Sequence, residues 1–330
     1  MRLKSALRRG VAAAVIAGIV VSSGIPAYAK TWNIADGDIT VKGASDESGN
    51  YNEVKQGDNE FKKDEGETVI TSKSGKSEEH TVTIDTSKGD VDVTFDNLKI
   101  DVSGKGKAAV TVRGGHNATI ELDGKNELKS GSHNAGLEKN GGEPSGKLTI
   151  KDDKGKDGSL TAEGGDGGAG IGGGKESTGS NITIRGGTIE AVGGSNAAGI
   201  GDGAGRASGD TDDPNPGHLY ICGDAEVTAK AGSQTTDAKA PAIGGSYGEI
   251  PTENLSDDEH KVTGGRLTRL NADGTVMEGM GYDYTSTPTP QPDDDDDDVQ
   301  PPAQENAPEP LPGGMVVGLS LIHISEPTRP

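Results

Sequence analysis

Apolar, polar, apolar triplets recur along this chain, at Val82 to Ile84, Val93 to Phe95, Leu98 to Ile100, Val110 to Val112 and Ile120 to Leu122, with Leu137 as a shortened instance. A period of two over three residues is a short strand with one face turned inward, and the Gly and Asn turns between the triplets leave no room for helices. No helical period follows Ala29.

Downstream the triplets join into a repeat of three parts. The first is a strand: Leu148-Thr149-Ile150, Ile182-Thr183-Ile184, Leu219-Tyr220-Ile221. The second is a strand ending in a small residue: Leu160-Thr161-Ala162, Ile189-Glu190-Ala191, Val227-Thr228-Ala229. The third is Ala169-Gly170-Ile171-Gly172, Ala198-Gly199-Ile200-Gly201, Ala242-Ile243-Gly244. Leu160 to Ile171 and Ile189 to Ile200 each span 11 positions, whereas Ile150 to Ile184 is 34 and Ile184 to Ile221 is 37, so strands are fixed and turns absorb the variation.

Three short strands per repeat, stacked at about 4.8 Å per rung, predict an all-β fold: a right-handed parallel β-helix, with a β-sandwich as the alternative. The pairs Gly164-Gly165, Gly186-Gly187 and Gly193-Gly194 are expected at corners, where glycine takes positive φ freely. Caps are expected at about 30–65, which holds three of the nine aromatics, and at about 255–284, with Leu267, Leu270 and Met277.

Composition agrees. Gly is 54 of 330 residues, against one Trp, two Phe and six Tyr, too few aromatics for a thick multilayer core. A formal charge of -21 disfavours nucleic acid and anionic membranes as partners. Cys222 is a single cysteine, so neither an intramolecular disulfide nor a cysteine metal site is available.

The ends read differently. Residues 1–29 form a secretory signal, with Arg2, Lys4, Arg8 and Arg9 before the apolar stretch Val11 to Val21 and an Ala27-Tyr28-Ala29 cleavage site. Its removal takes four positive charges, from -21 to -25. The segment 30–284 is the expected β-helix domain; 285–314, with a run of aspartates from Asp293 to Asp298 among prolines, is a solvated linker. Within 315–330, Leu319 to Arg329 matches the in-frame translation of a transposase-type sequencing adapter, so the chain is expected to be cut short, its device for surface attachment lost.

Several motifs fail. Gly168 to Gly173 satisfies G-x-G-x-x-G but no helix follows, and Gly174-Lys175 lacks the flanking residues of a P-loop, so no nucleotide is expected. Gly164 to Gly168 approaches a calcium repeat but has Ala169 where the final Asp belongs. Turn carboxylates remain as candidates for calcium, the only cofactor considered: Asp152, Asp153, Asp166 and Asp202, with Asp210, Asp212 and Asp213. The six histidines are scattered, and Arg185, Lys151 and Lys175 near Asp152 and Asp153 are the one local constellation a lyase could use.

If rungs align, the outward residues of the first strand are Thr94, Thr119, Thr149, Thr183 and Tyr220. Such a row stabilises a sheet by itself, and it also offers hydroxyls and an aromatic ring to a sugar. Candidate carbohydrate-binding residues are therefore Tyr220, Thr183, Thr149 and Arg185.

From Ala108 to Gly201 the chain runs through AAVTV, TIELDGKNELKSG, AGLEKN, GKLTI, GSLTAEGG, GAGIGGG and SNITIRGGTIEAVGG. In this it resembles a bacterial carbohydrate-binding domain family of gut Firmicutes surface proteins, over roughly 36–248. The resemblance implies a right-handed parallel β-helix related to polysaccharide lyases, and binding of acidic plant polysaccharides, with calcium, without turnover. The expectation is a secreted, surface-attached, monomeric polysaccharide-binding domain; the alternatives are an adhesin or stalk without a sugar ligand, and a calcium-dependent polysaccharide lyase.

Overall fold

The computed structural model describes residues 29–47, 49–64, 66–142, 146–205, 218–235, 240–245, 248–250, 260–279 and 281–283. Among these the chain is all-β, its 25 strands lying in three sheets beside one 3-10 turn, Ile34–Asp36.

The first sheet sets eight strands side by side, all parallel: Lys30–Asn33, Thr68–Thr71, Val91–Asp96, Ala118–Asp123, Leu148–Lys151, Ile182–Ile184, Leu219–Ile221 and His260–Val262. The second runs in parallel from Lys99–Asp101 through Lys125–Lys129, Ser159–Glu163, Thr188–Val192 and Glu226–Lys230 to Arg266–Leu270, with Tyr282–Asp283 antiparallel at its end. The third holds Ile39–Asp46, Val82–Asp85, Val110–Arg113, Leu137–Glu138, Ile171–Gly172, Ile200–Gly201 and Ile243–Gly245 in parallel; Gly49–Gln56 and Lys62–Asp64 close one end antiparallel, and Gly248–Glu249 the other. From Ala118 onward the chain visits first, second and third sheet in turn and returns to the next strand of the first.

The sequence triplets explain this register. Ile120, Ile150, Ile184, Ile221 and Val262 stand in one column, Leu160, Ile189, Val227 and Leu267 in a second, and Leu137, Ile171, Ile200 and Ile243 in a third, all buried. Each such side chain stabilises the fold by roughly 1.5–3 kcal/mol of apolar burial. Asn126 heads the Leu160 column, fully buried, its Oδ1 accepting from Leu98 N–H at 2.8 Å and its Nδ2 donating to the carbonyls of Asp123 and Ser159 at 3.2 and 3.1 Å.

The glycine pairs have another cause than the one expected. Only Gly187 of the three pairs has positive φ, at 82°. Gly165 and Gly194 are required by close stacking: a Cβ on Gly165 would lie 2.0 Å from Gly131 O, and one on Gly194 would lie 1.8 Å from Gly165 O. Within 30–65, where the first cap was expected, strands Gly49–Gln56 and Lys62–Asp64 extend the third sheet antiparallel, with Trp32 Nε1 donating to Asp64 Oδ2 at 2.8 Å and Asn52 Nδ2 donating to Asp92 O at 2.6 Å.

Candidate carbohydrate-binding face

The outer face of the first sheet carries the residues expected to meet a sugar. Register places Asp92, Thr119, Thr149, Thr183, Tyr220 and Lys261 in one row across six strands. Neighbouring strands are about 4.8 Å apart, so hydroxyl, hydroxyl, hydroxyl and phenol follow one another at that spacing; Thr119 and Thr149 are partly exposed, whereas Thr183 is buried. Tyr220 is half-exposed and its Oη accepts from Thr263 Oγ1 at 3.0 Å.

Thr94 is not in the row, contrary to expectation. It pairs with Glu121, two positions along the strand, because Val91 rather than Val93 lies opposite Ala118. Thr94 is 2% exposed and donates its hydroxyl proton to Glu67.

One pleat further along lies a charged row. Lys151 pairs with Glu121, and Arg185, whose N–H donates to Ile150 O at 2.9 Å, follows on the next strand. Burial pulls the Lys151 ammonium down, but Asp153 Oδ2 at 2.8 Å and Glu121 Oε2 at 3.5 Å hold it above its ordinary value, so it stays charged. Asp153 is correspondingly held low: burial opposes, and Lys151 and then Arg185 win. Arg185 is exposed, and its side chain makes no hydrogen bond or ion pair among the described residues. Thr149, Thr183, Tyr220 and Arg185 thus share one face, whereas Lys175 lies elsewhere, its stem against Gly167 and its N–H on His133 O at 2.9 Å.

The calcium candidates are not brought together. Asp152 spends both oxygens on main-chain donors, Oδ1 accepting from Lys156 N–H and Oδ2 from Gly158 N–H, each at 2.9 Å. Asp153 is paired with Lys151; Asp166 is exposed in a separate turn; Asp202 is buried in the third sheet's layer and accepts from Gly179 N–H at 3.1 Å. Among the described residues no three His, Cys, Asp or Glu side chains could hold a metal ion, so these aspartates do not fit a calcium site. Asp210, Asp212 and Asp213 lie outside the described residues.

Two features of this face were not anticipated. Segment 152–158 folds back over the first sheet, Glu121 Oε1 accepting from the Asp153 and Lys154 N–H groups at 2.8 Å each, and Lys154 pairing with Glu67. Asp123 is buried beside it. Alternation alone places Glu121 and Asp123 outward on the strand of Thr119, but nothing in the sequence says that a turn will cover them.

No known family model, curated protein or solved structure matches the chain.

Proposed function

We propose that this chain is a right-handed parallel β-helix of a secreted surface protein and that it binds an acidic polysaccharide without cleaving it. The β-helix reading is supported by the fixed order in which the chain visits three parallel sheets and by the unbroken register of their core columns. The observation that carries the function is Arg185: an exposed guanidinium without an ion pair among the described residues, beside a row of threonines ending in Tyr220, in a chain of net charge -21.

The chemistry follows from the side chains. The Thr119 and Thr149 hydroxyls exchange hydrogen bonds with sugar hydroxyls, the phenol ring offers a stacking surface, and the guanidinium takes a uronate carboxylate in a two-pronged grip. Lys151 is kept protonated by Asp153 and Glu121 and so is no base for removing a sugar proton, which favours binding over the lyase alternative. The carbohydrate-binding family that the sequence resembles fits this reading, as does export by the signal segment.

Affinity electrophoresis of the full chain through gels containing polygalacturonate or a neutral glucan tests it, with absorbance followed for unsaturated products. Retardation by the acidic gel alone, without new absorbance, and its loss in Arg185→Gln and Tyr220→Ala, is the expected result. Equal mobility in both gels would overturn the proposal, and new absorbance would replace it with a lyase.

A further inference from the structure

The outer row of the first sheet carries opposite charges at its two ends. Exposed Asp92 opens it and exposed Lys261 closes it, with Thr119, Thr149, Thr183 and Tyr220 between. Toward the Asp92 end the lysines are engaged, Lys151 with Asp153 at 2.8 Å and Glu121 at 3.5 Å, and Lys154 with Glu67. Toward the Tyr220 end two cations are not: the side chains of Arg185 and Lys261 make no hydrogen bond or ion pair among the described residues.

Tyr220 stands between these two. Arg185 follows Ile184, the partner of Ile221; Tyr220 lies on that middle strand, and Lys261 lies opposite Tyr220 on the strand beyond. Two interstrand steps, roughly 10 Å across the sheet, thus separate the main chains that carry the cations. The ring between them is fixed at its tip: Thr263, two residues past Lys261 and exposed like it, donates its hydroxyl proton to Tyr220 Oη at 3.0 Å. The carboxylate of one stacked sugar lies toward one cation or the other, so satisfying both takes two carboxylates.

We propose that this end of the face takes a run of three uronates laid across the strands: the middle ring stacks on Tyr220, and the carboxylates of its two neighbours meet Arg185 and Lys261. This rests on the glycan reading of the face and adds to it a second charged contact, a direction and a minimum length. Lys261 becomes a specificity residue, one that tells a continuous polyuronate from a single acidic sugar, because only the longer ligand brings it a partner. Asp92 at the far end of the row repels carboxylates and keeps the acidic run at the Tyr220 end.

Isothermal titration of the full chain with galacturonate and with trigalacturonate tests this. The unaltered chain is expected to prefer the trimer by about tenfold or more, the worth of one added charge-assisted hydrogen bond. Lys261→Gln, an exposed change with little risk to folding, should remove most of that preference, and Lys261→Arg should keep it. Arg185→Gln should weaken both sugars. A preference for the trimer that survives in Lys261→Gln overturns the proposal, and if Tyr220→Ala still abolishes trimer binding in the same experiment, the glycan face itself stands. No binding of trigalacturonate to the unaltered chain overturns both together.

Discussion

Arg269 stands in register with Ala229 and reaches Glu249, its Nη1 donating to Oε1 at 2.7 Å. It ends a core column that runs Leu128, Ala162, Ala191, Ala229, so an arginine occupies the position that alanine fills on the three strands before it. The side chain is 0% exposed; Nη1 also donates to the Ile250 carbonyl, while Glu249 accepts from the Ala242 and Ile243 N–H groups at 2.6 and 3.0 Å.

Removing that guanidinium leaves Glu249 buried with its charge uncompensated. Burial already pushes the Glu249 carboxyl up, opposed first by Arg269. Arg269→Ala is expected to cost roughly 3–5 kcal/mol, whereas Arg269→Met combined with Glu249→Gln, which removes both charges and keeps the volume, should cost much less. Urea unfolding of the variants checks the ordering; a double variant no better than the single one would show that the charge pair is not what matters.

The alanines of the same column are set by space. Ala162, Ala191 and Ala229 are fully buried on neighbouring parallel strands about 4.8 Å apart. Ala191→Leu should overpack the interior at a cost of about 1–3 kcal/mol. Ile189→Ala, in the neighbouring column, should open a cavity at about 2–5 kcal/mol. Thermal unfolding of both variants should show destabilisation by these opposite routes.

Much of this was legible in the sequence because strand position and side-chain direction are local. The triplets at Leu148, Ile182 and Leu219 fix which residues face inward, and Thr149, Thr183 and Tyr220 fall into one row as a result. The same logic misplaced Thr94, since the longer strand Val91–Asp96 admits two alignments with Ala118–Asp123 that both keep apolar residues inward. Segment 152–158, the buried Asn126 and the Arg269–Glu249 pair were hidden for another reason: each depends on partners more than a turn away, and charged or amide residues carry no signal of burial until the partner is known.

Gly172 and Gly201 show where a glycine is demanded twice over. Both have φ of 134°, and a Cβ on Gly172 would lie 2.1 Å from Gly201 O. Backbone strain alone costs about 1–3 kcal/mol, and the clash with a rigid carbonyl adds to it. Gly172→Ala is therefore expected to lower the unfolding midpoint more than Gly104→Ala, a glycine with open space around the added methyl. Equal midpoints would show that the neighbouring strands can spread.

Stability should be greatest in mildly acidic solution. Asp123, raised from 3.8 to about 6 by burial and by Asp96, Asp157, Asp152 and Glu121, favours the folded state most below 3.8 and loses that contribution as pH rises through about 6. Asp85 shifts the other way, since burial is outweighed by Ser87 and Arg113, and Asp101 is lowered foremost by Ser103; these contributions vanish as pH falls below the ordinary value. The unfolding temperature should decline on both sides, and Asp123→Asn should lessen the decline on the alkaline side only, where Glu138 and Glu249, also raised by burial, still contribute.

The threonine row separates a ligand face from a merely stable sheet. Thr119 and Thr149 are direct neighbours across strands and both partly exposed, so exchanging both for valine keeps the β-branched shape and the strand preference while deleting two hydroxyls. If the row exists only for the sheet, Thr119→Val with Thr149→Val leaves both stability and polygalacturonate retardation as they were. If it meets sugar, stability is unchanged but retardation falls, by about fivefold or more for two hydrogen bonds lost at about 0.5–1.5 kcal/mol each. Tyr220→Phe keeps the ring and removes only the Oη that accepts from Thr263, so it should retain most of the binding that Tyr220→Ala loses. Retention in Tyr220→Ala equal to that of the unaltered chain would move the glycan off this face altogether.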